Sequence, residues 1–142
     1  MSHSDVSMAD IETLRRLRRH RADRAERALR EAKRARQTLQ THIQQAQQAL
    51  EQTRQEEAQQ SAQLLSEHQG QVLTLKALNA WGSQERSLSA STLRDEGQVQ
   101  ALQAQHKDKD IQVGSAQKYA TECLRQVEKL QELSNLLAQD SL

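Results

Sequence analysis

A chain of 142 residues could form one domain, yet with no Phe, one Trp and one Tyr it lacks the large side chains that fill an ordinary globular core. Its formal net charge of +1 hides an asymmetry: residues 1–36 hold 11 Lys/Arg against 6 Asp/Glu, or +5, and residues 37–142 hold 9 against 13, or −4. The absence of Pro, the four Gly and the wealth of Gln, Ala, Glu, Arg and Leu leave little from which to build strands, so the composition points to an all-α, extended protein. A single cysteine, Cys123, excludes an internal disulfide, and no apolar run approaches the length of a membrane span or a secretory signal core, which reads as a cytosolic protein.

The first helix signal is Ser7-Met8-Ala9-Asp10, a serine followed three residues later by a carboxylate, with Glu12 adding negative charge where the helix dipole favours it. This predicts a helix over residues 8–79. Apolar side chains recur at heptad spacing through Leu29, Ala32, Leu39, Ile43, Ala46, Leu50 and Leu64, after which the frame shifts toward Leu65, Val72, Leu75 and Leu78. Gly70 has no flanking stop signal and is taken as a tolerated weak point within the helix. Arg36, Thr53, Glu57, Gln60 and Glu67 fall on the frame, so the seam is expected to be thin, above all across residues 51–61.

The strongest turn signal is Asn79-Ala80-Trp81-Gly82-Ser83, followed by the Ser-rich stretch to Thr92, where Thr92 to Asp95 reads as a second N-cap pair. A turn over 80–91 and a second helix over 92–138 follow. In that helix Val99, Leu102, Val113, Ala116, Ala120, Cys123, Val127, Leu130 and Leu137 occupy heptad positions, interrupted by His106, Lys109 and Ser134. The expected architecture is one coiled-coil domain over 1–142, an elongated antiparallel two-helix hairpin with a longer first helix. A fold-back centred near residue 85 sets Leu137 beside Arg34 and residues 51–61 beside 110–120, leaving the first helix to overhang by roughly 25 residues.

That overhang is arginine-rich, running from Leu14 to Arg30. Arg16, Arg19, Arg27, Arg30 and Arg34 share one face, which i,i+4 pairs from Glu12, Asp23 and Glu26 explain as a solvated surface. Arg18, Arg21 and Arg36 lie on or beside the apolar stripe, where an intramolecular seam would exclude them, and they suggest a partner offering carboxylates. Nucleic acid fits poorly, since acidic residues interleave the run and no aromatic is at hand to stack on bases. Trp81 with Val72, Leu73, Leu75, Leu78 and Leu88 closes a small cap under the turn or forms a partner patch. None of the five histidines lies three or four residues from another His or from Cys123, and no Ser/His/Asp or Gly-rich phosphate pattern occurs, so no metal, cofactor or catalytic role is expected.

The segment Leu14 to Arg36, opening Leu-Arg-Arg-Leu-Arg and continuing Ala-Asp-Arg-Ala-Glu-Arg-Ala-Leu, resembles the first helix of the type III secretion stalk proteins, the YscO and HrpO family and its flagellar relative FliJ. The resemblance implies a bacterial virulence-associated protein transport component in the cytoplasm, at the cytoplasmic face of the inner-membrane secretion apparatus. It implies a central stalk that enters the hexameric secretion ATPase and couples it to the export gate ring protein, touching the membrane only through partners. Carried onto this chain, Leu14, Arg15, Arg16, Leu17, Arg18, Arg19, Arg21 and Arg24 face the ATPase, and Val72, Leu75, Leu78 and Trp81 face the gate. The competing readings are a homodimeric structural coiled coil and a chaperone escort for secreted substrates, neither with an ATPase contact; secretion chaperones are further candidate partners.

Overall fold

In the computed structural model, residues 3–140 are described, with side chains from Met8 onward. They form two helices, α1 (His3–His68) and α2 (Leu75–Asp140), each of 66 residues, and no strand. The chain divides by packing into two units, Met1–Gln37 with Asp108–Leu142, and Thr38–Lys107. Within each, a stretch of α1 lies antiparallel against a stretch of α2.

In the first unit Ala22, Ala25 and Leu29 of α1 meet Val113, Ala120 and Cys123 of α2, with Ala32, Ala116 and Val127 packed at the margins. Alanines let the backbones approach closely but bury little area each, so most of the stabilisation comes from Leu29, Val113 and, further along, Leu130, at roughly 1.5–3 kcal/mol per fully buried large side chain. The second unit buries Leu39, Ile43, Leu50 and Val99. Beyond Leu50 its seam becomes polar. Thr53 Oγ1 donates to Asp95 Oδ2 at 2.6 Å, Thr92 Oγ1 donates to Glu57 Oε2, and Ser61 Oγ donates to Glu85 at 2.8 Å. Each seam carboxylate thus receives a hydroxyl from the opposite helix, the pairing that burial of a polar group demands.

The chain reverses over residues 69–74. Gly70 has φ 75°, the left-handed region that an L side chain adopts only at a cost, and this ends α1. Thr74 opens α2 as its N-cap, its Oγ1 accepting the Ala77 N–H at 3.1 Å. Across the turn the His68 and Trp81 rings stack with centroids 5.0 Å apart.

Several expectations from the sequence therefore fail together. The turn is at 69–74 and not 80–91, α2 begins at Leu75 and not at 92, α1 begins at His3 with Ser7 inside it, and α1 is no longer than α2 among the described residues. Asn79–Ser83 is helical, because Gly82 is merely a weak helix former and nothing forces it out of the helix. The Ser-rich stretch is helical too: Ser91 bonds back to the Ser87 carbonyl and Thr92 gives its hydroxyl to Glu57 across the seam, so neither needs a turn. Moving the turn moves the register. Arg36 faces Asp110 where a position near Leu137 was expected, residues 53–61 face 85–95, and the basic segment has α2 alongside it in place of an overhang.

Candidate partner-binding surfaces

A heptad seam in the first unit runs through Ile11, Arg15, Arg18, Ala22, Ala25, Leu29, Ala32 and Arg36, and it sorts the arginine-rich segment into three groups. Arg15 and Arg18 sit in the seam and are half-buried. Arg18 Nη1 donates to the Gln126 carbonyl at 3.0 Å, and Arg15 lies 3.9 Å from Glu12. Arg36, also half-buried, reaches Asp110 at 3.2 Å. The seam accommodates Arg18 and Arg36 by delivering the guanidinium to an acceptor on α2, and Arg15 by an ion pair within α1. The expectation that an intramolecular seam would exclude them is wrong for Arg18 and Arg36.

Arg16 and Arg19 form the second group, exposed on one flank, with Arg16 3.8 Å from Glu12. Leu14, Leu17, Arg21 and Arg24 form the third, on the opposite flank, all exposed. Neither Arg21 nor Arg24 makes an ion pair among the described residues, and the expected Asp23–Arg27 and Glu26–Arg30 pairs do not close there either. The eight residues thus share one end of α1 without sharing one face. The third group has a neighbour that sequence reasoning missed: Tyr119 of α2 lines one groove with Leu17, Arg21, Arg24 and Ala28. Its only signal in the sequence is its place immediately before the seam residue Ala120, which acquires meaning once the register is known.

In the second unit Val72, Leu75 and Leu78 are exposed at the turn, Val72 completely so. They do not close a cap. Trp81 stands apart from them: half-buried, it stacks on His68 and donates Nε1–H to Glu85 Oε1 at 3.2 Å, bracing the turn from beneath. An open groove on this unit is lined mainly by Gln60, Gln63, Glu67, Gln84 and Ser87, a polar wall with one carboxylate, over Leu64 and Leu88. Among the described residues no three of His, Cys, Asp and Glu converge as metal ligands, and no helix is long and apolar enough to cross a membrane.

A helix pair whose distinctive features are an unpaired basic flank and an exposed apolar turn is the form of a protein that works through contacts with other proteins. The family model for the type III secretion protein YscO matches residues 11–142, nearly the whole chain. The chain belongs to the YscO family of type III secretion proteins. No curated protein and no solved structure matches it.

Proposed function

We propose that this protein is the central stalk of a type III secretion apparatus, its basic end held by the hexameric secretion ATPase and its turn by the export gate ring protein, in the bacterial cytoplasm at the inner membrane. The observation that carries the reading is the uncompensated charge of Arg21 and Arg24, exposed beside Leu14 and Leu17, and of Arg19 on the opposite flank, whereas Arg15, Arg18 and Arg36 find acceptors within the chain. Folding draws nothing from guanidinium groups left in water without carboxylates, and a hexameric channel lined by acidic groups would meet them at several rotational settings. Val72, Leu75 and Leu78, exposed at the turn, supply an apolar patch suited to the gate contact. A role as a chaperone escort for secreted substrates would use the same turn without the basic end.

The test is charge reversal confined to the exposed arginines, Arg19→Glu, Arg21→Glu and Arg24→Glu together. Arg15 and Arg18 are left alone because a carboxylate at position 18 would face the Gln126 carbonyl and disturb the seam. Each exposed ion pair is worth roughly 0.2–1 kcal/mol, so single changes should be nearly silent, whereas three reversals turn attraction into repulsion amounting to several kcal/mol. Helicity should be retained, and binding to the ATPase, with any stimulation of its hydrolysis, lost. Normal binding by the folded triple variant at moderate salt refutes the assignment.

A further inference from the structure

The two flanks of the first unit differ in a way its own folding does not require. Positions just before the seam residues Arg15, Ala22 and Leu29 of α1 and Ala120 and Ser134 of α2 lie on one side of an antiparallel pair. On that side, and next to it, the exposed large apolar residues are Leu14, Leu17, Tyr119, Leu133 and Leu136; Leu17 is 58% exposed and Tyr119 55%. The other flank offers Leu124 among polar residues such as Glu12, Glu26, Lys33 and Gln117, and Ile111, 68% exposed, falls on the outward face of α2 away from the seam. The apolar side is also indented. Two grooves share Arg21 and Tyr119: one reaches Leu17, Arg24 and Ala28, with a volume of about 450 Å³, and the other reaches Arg18, Glu122 and Gln126. A two-stranded coiled coil leaves such a groove open where a third helix would complete a three-helix bundle.

We infer that this groove is the docking site of a partner's amphipathic helix whose apolar stripe is flanked by glutamates or aspartates. Charge complementarity chooses the occupant. Arg18, Arg21 and Arg24 border the groove, and its one carboxylate, Glu122, is already engaged by Arg125 at 3.3 Å and by the Gln126 amide at 2.9 Å. A basic or neutral helix would leave these guanidinium groups facing apolar surface, whereas flanking carboxylates would meet them as the stripe covers Leu17 and Tyr119. From Leu14, beside the groove, to Ala28 at its end, this flank of α1 spans roughly 21 Å, the length of a helix of about 14 residues. The inference rests on the reading of this end of the molecule as a partner surface and adds which flank is used and by what chemistry.

The probe is a designed 14-residue peptide with leucines at helical i, i+3, i+4, i+7 spacing flanked by glutamates, titrated into the isotope-labelled full chain and followed by NMR and fluorescence anisotropy. A companion peptide keeps the leucines and replaces glutamate with lysine. Resonance shifts should gather at Leu14, Leu17, Arg21, Tyr119 and Leu133 for the glutamate peptide and be absent for the lysine peptide. The paired change Leu17→Gln with Tyr119→Gln should weaken binding about tenfold or more, as loss of two central anchors does, while Leu124→Gln leaves it unchanged. Equal binding of both peptides, shifts spread over both flanks, no binding at all, or an equal effect of Leu124→Gln overturns the proposal. So does a self-associated chain that Tyr119→Gln dissociates, since a second copy would then fill the groove. No ATPase is present in these titrations, so the groove can fail while the ATPase contact stands, and the reverse.

Discussion

Arg18 of α1 donates from Nη1 to the backbone carbonyl of Gln126 in α2, 3.0 Å away, so a cation occupies a seam position that a leucine would ordinarily hold. The bond is made to a carbonyl inside a helix, and the guanidinium is only half-buried, so its contribution to stability is small. Arg18→Leu should therefore stabilise the protein by about 1 kcal/mol through added apolar burial, raising the melting temperature by roughly 3–6 °C in thermal circular dichroism. A fall in melting temperature would show that the Gln126 bond outweighs the burial it displaces.

The polar seam of the second unit should be its weakest layer. Thr92 is buried and donates its hydroxyl to Glu57, so Thr92→Val leaves that carboxylate without its cross-helix donor and should cost about 1–3 kcal/mol. Changing Glu57 and Thr92 together to leucine should restore or exceed wild-type stability, because both polar partners leave at once. Denaturant melts of the single and double variants check the sign of each. Hydrogen exchange should be faster at residues 53–61 and 85–95 than around Leu50 and Val99.

Glycines at different places in the chain should respond in opposite directions. Gly70→Ala forces a Cβ into the left-handed region and should cost about 1–2 kcal/mol. Gly97 and Gly114 are helical, and a Cβ built on either meets nothing within 4 Å, so alanine there should add about 0.5–1 kcal/mol each. If Gly97→Ala destabilised and Gly70→Ala did not, the turn would be in the wrong place.

That turn is where reading the sequence diverged from the fold. The heptads from Leu29 to Leu50 and from Val99 to Leu137 were legible because each holds apolar residues at regular spacing, and both helices use them as read. Between them two cues competed. Gly70 is followed by Val72, Leu73 and Leu75, which prolong an apolar pattern and hide a stop, whereas Trp81-Gly82-Ser83 and the serines after it look like a loop. A serine satisfied by the preceding helical turn, or a threonine satisfied across the seam, carries no breaking power, but a glycine free to take φ 75° does. The seam in fact leaves α1 through Ser61, Leu64 and His68 instead of following Leu65 and Val72 outward. The arginine-rich end was legible as a segment, since composition alone marks it. Its division into seam and two flanks was not, because that depends on a register set by the turn.

At the turn, Val72→Ser, Leu75→Ser and Leu78→Ser together should leave thermal stability within about 0.5 kcal/mol of wild type, since these side chains are already in water. The same triple change should abolish capture of the export gate ring protein. Trp81→Ala, by contrast, removes the His68 stack and the Glu85 bond and should destabilise the second unit measurably. A destabilised serine variant would mean that the apolar turn is packed in solution.

Photo-crosslinking in the assembled secretion apparatus asks most directly which surface meets which partner. A photoreactive residue placed at Arg21, exposed on the basic flank, should capture the secretion ATPase, and one placed at Leu75, exposed at the turn, should capture the export gate ring protein. Capture of the ATPase from position 75 and not from position 21 would contradict the stalk reading.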